Sequence, residues 1–251
     1  HAGDPHLRTV LGMGCWSRRE SFAAAGGVAA GDTAPSADSA PRWSARLPAA
    51  TADGSQFEVL CGAELVGAVH WKLLGRHNVD NALAAIAAAR HAGVLPEVSC
   101  AALEEFRGVK RRLELRGTVA GIRVYDDFAH HPTAIATTLE GLRRNVGAAR
   151  IVAVLEPRSN TMRLGVHRDT LAASLSAADD VWLYAPSDLG WDAEAVVAEL
   201  GPRGHSARDI GRLATDLAAT LRDGDHALIM SNGGFGGLHD LLLAALQEKH
   251  R

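Results

Sequence analysis

The stretch Val124-Tyr125-Asp126-Asp127-Phe128-Ala129-His130-His131-Pro132-Thr133 passes from an apolar, strand-like pattern to a helical one. It predicts a β-strand that ends at the paired carboxylates and a helix that begins at Pro132. Proline suits the first helical position because its fixed φ matches the helix and its missing N–H has no partner there anyway. The helix then carries Ile135, Leu139 and Leu142 on one face, a spacing that docks a helix against a sheet.

The polar side chains of this stretch are Asp126, Asp127, His130 and His131. They lie between a strand end and a helix N-terminus, where backbone N–H groups and the helix dipole favour an anion such as phosphate or carboxylate. A hydrogen-bonded turn with no ligand accounts for the same residues. The stretch alone therefore leaves an anion site and a structural turn equally open.

From Tyr125 onward, strand-like runs alternate with helical patterns, which predicts a mostly parallel sheet covered by helices. A hairpin turned at Ala120-Gly121 is predicted just before it. Ligands gather at the carboxyl ends of the strands in such sheets. Polar segments at 156–158 and 231–233 each follow a predicted strand. We therefore expect them to share one cleft with Asp126 and Asp127.

Composition sets the broad class of protein. The 251 residues are 47% hydrophobic and 22% charged, which predicts a globular chain of one large or two modest domains. A net charge of -3 gives no sign of a nucleic-acid partner. No apolar run approaches a membrane span and no signal segment opens the chain, so we expect a cytoplasmic protein without membrane contact. Three widely spaced cysteines argue against disulfides and zinc.

Four segments resemble, in order, the motifs of the Mur ligase family, ATP-dependent amide ligases of peptidoglycan synthesis. They are GRHNVDNA at 75–82, the stretch at 124–133, LEPRSNTM at 155–162 and MSNGGFGG at 230–237. The resemblance implies that residues 1–112 are the C-terminal part of a central ATP-binding domain. Residues 113–251 would be the family's C-terminal, Rossmann-like α/β domain. Residues 23–48, rich in Ala, Gly, Pro and Ser, predict loops.

The resemblance also implies an activity for the parent protein. It would join UDP-N-acetylmuramate to the murein tripeptide L-alanyl-γ-D-glutamyl-meso-diaminopimelate through an acyl phosphate, with ATP and Mg²⁺. No Gly-rich loop ending in Lys-Ser/Thr occurs here, so the triphosphate cradle, the Mg²⁺ ligands and the UDP-sugar domain are expected upstream. We expect the chain to be a fragment, inactive alone. Two alternatives stay open, an L-alanine-adding ligase and a non-catalytic module that binds a peptide or nucleotide.

On the nucleotide side, the resemblance places His77, Asn78 and Asn81 beside the adenine of ATP. Spacing alone is also compatible with helix capping by the two asparagines. The resemblance further assigns Asp127 to the ribose hydroxyls. His130 would be a catalytic residue near the phosphates or the incoming substrate.

On the peptide side, Arg158 offers a planar fork that matches carboxylate or phosphate and is the second expected catalytic residue. Glu156 would restrain that fork or receive a substrate ammonium, although a surface ion pair is the alternative. The other expected substrate contacts are Asn160, Ser231, Asn232 and Gly233. No residue of this chain is expected to bind a metal.

Two further residues or groups have open interpretations. Asp126 can serve as a structural acceptor for backbone N–H groups. The basic cluster Lys110-Arg111-Arg112 is either solvated surface or a hinge between domains.

Overall fold

The structure is a computed structural model that describes residues 1–24, 42–49 and 52–251. The chain divides into two compact units, His1–Gly108 (unit 1) and Val109–Arg251 (unit 2). The sequence prediction drew its boundary after residue 112. Most of the loop segment predicted at 23–48 lies outside the described residues. At its described start the loop prediction is wrong, because Ala23 and Ala24 belong to a short strand. From Arg42 onward the sequence pattern is strand-like, and a strand forms at Trp43–Arg46.

The described part of unit 1 combines one sheet with helices. Its strands are β1 (Phe22–Ala24), β2 (Trp43–Arg46), β3 (Gln56–Cys61) and β4 (Glu64–His70). Its helices are α1 (Pro5–Gly12), α2 (Arg76–His91) and α3 (Pro96–Glu104). The strand order is β1-β2-β3-β4, with β1 parallel to β2 and the other pairs antiparallel.

Helix α2 packs its apolar face into the core of unit 1. Val79, Leu83 and Ile86 recur at helical spacing and are fully buried. They meet Trp43 and Phe57, which point inward from the sheet. This packing fixes the first turn of α2, where the expected adenine-side residues lie.

Unit 2 contains no undescribed residue, and its strands form a single six-stranded sheet. The strands are β5 (Glu114–Val119), β6 (Ile122–Asp127), β7 (Ile151–Leu155), β8 (Asp180–Tyr184), β9 (Gly204–Ala207) and β10 (His226–Met230). The helices are α4 (Pro132–Val146), α5 (Asn160–Arg163), α6 (Arg168–Ser174), α7 (Ala193–Leu200), α8 (Ile210–Thr220) and α9 (Leu238–Lys249).

The strand order in unit 2 is β5-β6-β10-β7-β8-β9, and β5 alone is antiparallel to its neighbour. The prediction of a mostly parallel α/β sheet is confirmed. The hairpin between β5 and β6 turns at Ala120 and Gly121, whose φ values of 45° and 75° are both positive. Two-residue hairpin turns favour such values because their twist matches that of the strands.

Helices cover both faces of this sheet. Strand β7 is fully buried along its length, with Ala153 facing the α4, α6 and α7 side and Val154 facing the α8 and α9 side. Helix α4 begins at Pro132 and buries Ile135, Leu139 and Leu142, as the sequence predicted. A parallel sheet that is buried on both faces leaves only its strand ends accessible, so ligands are expected to bind at those ends.

A buried histidine at the start of β10 makes the stability of unit 2 dependent on pH. The Nδ1 atom of His226 lies 3.1 Å from the hydroxyl of Tyr125, and burial together with the charge of Arg123 lowers the pKa of His226. The unfolded chain binds a proton near pH 6.5 while the folded chain resists it. We therefore expect the free energy of unfolding to fall as pH drops below about 6.5, by at most about 1.4 kcal/mol per pH unit.

Urea unfolding at pH 7.5, 6.5 and 5.5 measures this slope. His226→Gln cannot bind the proton and should flatten the profile between pH 6.5 and 5.5. An equal slope in both proteins would show that other groups carry the effect.

Candidate functional site

The carboxyl ends of β6, β10 and β7 lie in register. Met230 pairs with Asp127 on one side and with Leu155 on the other. Just beyond the strands, the Ser231 N–H donates to the carbonyl of Asp127 and the Glu156 N–H donates to the carbonyl of Met230, both at 3.0 Å. The segments 126–127, 156–158 and 231–233 therefore lie side by side. We call these residues the polar edge.

Asp126 is buried among cationic and polar side chains. Its carboxylate lies 3.2 Å from Nε of Arg111, 3.4 Å from Nε2 of His239 and 3.7 Å from Nη1 of Arg116. Burial alone would raise the pKa of Asp126, but His239 and Arg111 outweigh it and the pKa is lowered. These partners are side chains, so the expected role of Asp126 as an acceptor for backbone N–H groups is wrong.

Asp127 takes that structural position instead. Its carboxylate accepts from the backbone N–H groups of Leu113 and Ala129, both at 2.7 Å, and from the Thr138 hydroxyl at 3.4 Å. Only 3% of the residue is exposed, and this burial raises the pKa of its carboxyl group. The carboxylate joins the entry to β5 with the turn after β6. Its ribose role stays a prediction.

Arg111 links the hairpin to the loop after β10. Its Nη2 donates to the carbonyl of Ser231 and, at 2.6 Å, to that of Gly233, while its Nε donates to Asp126. The backbone of Arg111 has a φ of 61°, a conformation that side-chain contacts must stabilise in a residue other than glycine. The sequence left this residue open between surface and hinge. In the structure, its side chain connects Asp126 to the loop after β10 and so helps to hold the polar edge together.

The Arg158 guanidinium lies directly over the backbone of Gly233. A Cβ atom added at Gly233 would fall 1.6 Å from Nη1 of Arg158, so a side chain at this position would displace the guanidinium from where it lies. The Ser231 hydroxyl donates to Oε2 of Glu156 and accepts from the Gly233 N–H at 2.8 Å. Glu156 is thus held by Ser231, and no ion pair joins it to Arg158 in the described structure. The surface ion pair considered for these two residues does not form.

Asn232 presents an acceptor without a partner. Its Oδ1 atom is buried, and no donor of the described residues reaches it. An unpaired buried acceptor costs free energy that a ligand donor, such as an amine or amide N–H, recovers on binding. Asn160, by contrast, is exposed at the first position of α5, which Ser159 caps.

Three imidazoles gather where α4 begins. Nδ1 of His130 lies 2.8 Å from the Phe128 carbonyl, so this nitrogen carries the proton and Nε2 of the neutral ring stays an acceptor. The ring of His131 lies 4.1 Å from that of His130 and 5.4 Å from that of His167, centroid to centroid. Burial and the two neighbouring imidazoles lower the pKa of His131. No side chain caps the helix, so its first N–H groups remain available to an anion.

The expected adenine-side residues lie in unit 1, at the start of α2. The N-cap is Gly75, and neither asparagine caps the helix, because the Asn78 amide instead donates to the Leu74 carbonyl at 2.7 Å. Asn81 is exposed. The His77 ring packs against Gly75, where a Cβ atom would fall 2.6 Å from Cε1. The glycine at this position, with a φ of 92°, therefore lets the ring approach the backbone.

Within the described ranges, no group of three or more His, Cys, Asp or Glu side chains is placed to hold a metal ion. The described cysteines are free thiols. No helix in the same part of the chain is both long and apolar enough to cross a membrane.

Unit 2 is therefore a doubly wound α/β domain whose strand ends carry acidic, guanidinium, imidazole and glycine-loop groups suited to charged substrates. Residues 111–233 match the family model described as Mur ligase, glutamate ligase domain. The chain belongs to the Mur ligase family.

Relatives of known activity agree with this assignment. UDP-N-acetylmuramate--L-alanyl-gamma-D-glutamyl-meso-2,6-diaminoheptandioate ligase of Escherichia coli (strain K12) is 47% identical over 98% of this chain and 50% of its own length. UDP-N-acetylmuramate--L-alanine ligase of Thermosynechococcus vestitus is 35% identical over 80% of this chain and 44% of its own. The murein peptide ligase structure from Psychrobacter arcticus has a TM-score of 0.67 at 39% identity, covering 96% of this chain and 49% of that one. This chain spans about half the length of the curated relatives it matches.

Proposed function

We propose that this chain is the peptide-receiving half of an ATP-dependent amide ligase of peptidoglycan recycling in the cytoplasm. The full-length protein would join UDP-N-acetylmuramate to L-alanyl-γ-D-glutamyl-meso-diaminopimelate through an acyl phosphate. The observation that carries this proposal is the polar edge. There, an anionic carboxylate, an unpaired amide oxygen and a guanidinium lie on neighbouring strand ends.

This arrangement suits a peptide with a free amine. The Glu156 carboxylate, restrained by Ser231, can receive the ammonium of the terminal alanine. The unpaired Oδ1 of Asn232 accepts one of its N–H groups. Arg158, set over Gly233, can then hold a carboxylate or phosphate oxygen in its fork. Asn160, exposed after this segment, is proposed to contact the peptide further along.

The imidazole group at the start of α4 supports a role near the reacting atoms. Nε2 of His130 is an acceptor in the neutral ring and can take the proton that the attacking amine loses. The uncapped N-terminus of α4 beside it favours an anion such as a phosphate. We propose His130 as the residue that faces the phosphate or the incoming amine.

Some residues of unit 1 suit a nucleotide base. Asn78 and the exposed Asn81 are one turn apart on α2, and a carboxamide matches the donor and acceptor edge of adenine. We propose that they bind the base together with His77. When bound, ATP supplies the phosphoryl group that activates the muramyl carboxylate. The described residues do not fit Mg²⁺, since no three His, Cys, Asp or Glu side chains among them are placed together to hold a metal ion.

The family alternative is the L-alanine-adding ligase, and release of phosphate separates the two. The full-length protein, supplied with ATP, Mg²⁺ and UDP-N-acetylmuramate, is expected to release phosphate on addition of the tripeptide. It should release little with free L-alanine. The opposite preference would identify an L-alanine ligase, and no release with either amine would favour a binding module. The 251-residue chain alone is expected to show no turnover.

A further inference from the structure

A concavity opens at the carboxyl edge of the unit 2 sheet, beyond the end of β8. Its volume is about 220 Å³. Residues that follow β8, the first turn of α7 and the residue after β9 line it. Those that the inference uses are Leu189, Trp191, Asp192, Glu194 and Arg208. None of them belongs to the polar edge, and the sequence motifs did not point to them.

The wall of this cavity is fixed to the segment that follows Arg158. Trp191 Nε1 donates to the Met162 carbonyl at 2.6 Å, and the Gly190 N–H donates to the Arg163 carbonyl at 3.1 Å. The side chains of Arg163 and Asp188 form an ion pair between the same two loops. The loop that lines the cavity is therefore held against the segment that follows Arg158.

The cavity brings together charges of both signs. Arg208 makes no hydrogen bond or ion pair with the described residues. Oε1 of Glu194 accepts from the Ser206 hydroxyl at 2.7 Å, and Oδ1 of Asp192 accepts from the Glu194 N–H at 3.0 Å. Each carboxylate keeps its second oxygen for a ligand. A guanidinium and two carboxylates that line one cavity match an α-amino acid head group, which carries a carboxylate and an ammonium on one carbon.

The spacing from the polar edge suits a short peptide. Leu155 is level with Leu183 on β8, and Tyr184 is level with Ala207 on β9. Glu156 and Arg208 are therefore two strands apart, about 10 Å at the usual spacing of about 4.8 Å. Three extended residues span about 10 Å. A single amino acid at Glu156 falls short of the cavity, whereas the third residue of a tripeptide reaches it.

We propose that this cavity is a subsite for a zwitterionic α-amino acid head group at the far end of the peptide substrate. Arg208 binds the carboxylate and Glu194 binds the ammonium, while Leu189 and Trp191 flank the aliphatic stem. The inference rests on the proposed function, and in the tripeptide the free end of meso-diaminopimelate is such a head group. The subsite would give the enzyme its preference for a peptide over alanine.

Two peptides that differ in one carboxylate test the role of Arg208. L-alanyl-γ-D-glutamyl-meso-diaminopimelate and its L-lysine analogue share the ammonium, but lysine lacks the distal carboxylate. Calorimetric titration of the 251-residue chain measures the affinity for each peptide. Arg208→Gln should weaken binding of the diaminopimelate peptide about tenfold and leave the affinity for the lysine peptide unchanged, as expected for loss of one charged contact. Glu194→Gln should weaken the binding of both peptides, because both carry the ammonium. Arg212→Gln, an exposed arginine on α8, is the matched control.

The outcomes separate the subsite from the proposed function. If both peptides bind and Arg208→Gln affects them equally or not at all, the subsite is overturned and the ligase proposal stands. If neither peptide binds the folded chain, the subsite is overturned, while phosphate release by the full-length protein still tests the ligase proposal. KM values of the full-length protein for the two peptides should follow the same pattern, with kcat little changed.

Discussion

Replacing Asp127 with alanine is expected to destabilise unit 2 by about 2 to 5 kcal/mol. The carboxylate accepts from the N–H groups of Leu113 and Ala129, and a buried donor left without an acceptor costs about 1 to 3 kcal/mol. Part of this loss is offset because alanine removes an ionisable group whose burial is unfavourable, as its raised pKa shows. Urea denaturation followed by circular dichroism measures the change.

Two further variants sharpen this prediction. Asp127→Asn keeps one oxygen acceptor but turns an amide NH₂ toward a backbone N–H, so we expect a loss of stability between zero and that of Asp127→Ala. Asp169→Ala removes an exposed carboxylate and should cost about 0.5 kcal/mol or less. A stable Asp127→Ala protein would disprove the structural role. Nucleotide affinity of Asp127→Asn in the full-length protein tests the ribose role separately, since unchanged affinity would remove Asp127 from it.

Replacing Arg158 with alanine is expected to lower kcat/KM of the full-length protein for the tripeptide about 100- to 1,000-fold. The guanidinium lies over Gly233, so its loss removes a planar, charged donor from the polar edge. Losses of this size are typical when one donor to a developing or bound oxyanion is removed. Steady-state phosphate release with varied tripeptide measures the effect.

The lysine variant separates charge from geometry at this position. Arg158→Lys keeps the charge but not the fork, and lysine does not replace arginine at a two-point contact, so little activity should return. Full recovery would mean that charge alone suffices. Arg168→Ala, at an exposed arginine of α6, should leave activity unchanged. Wild-type activity in Arg158→Ala would exclude Arg158 from the site.

The sequence predicted those parts of the fold whose local patterns agree with their packing. Strand β7 is a continuous apolar run, and α4 has its proline start and apolar stripe, so both were predictable. Strand β9 was missed because Gly204-His205-Ser206-Ala207 has no β-branched or aliphatic pattern. It forms because pairing with β8 satisfies its backbone. Such an edge strand depends on its neighbour more than on its own residues.

The site was predicted by position more accurately than by role. The strand ends carry the expected polar residues, yet Asp127 rather than Asp126 is the acceptor for backbone N–H groups. Neighbours on a strand point to opposite faces, and which face holds Arg111 and His239 is decided by tertiary packing. Arg111 itself had only one signal, its position just before a hairpin whose second strand contains Asp126 and ends at Asp127.

The order of strands in unit 2 has a consequence for how the polypeptide matures. β10 follows the other five strands of unit 2 in chain order but lies between β6 and β7 in the sheet. Until residues 226–230 leave the ribosome, those two strands have no common neighbour and each keeps an open edge, the kind of surface on which nascent chains aggregate. A stop codon at position 226 would therefore remove the strand in the middle of the sheet rather than one at its margin.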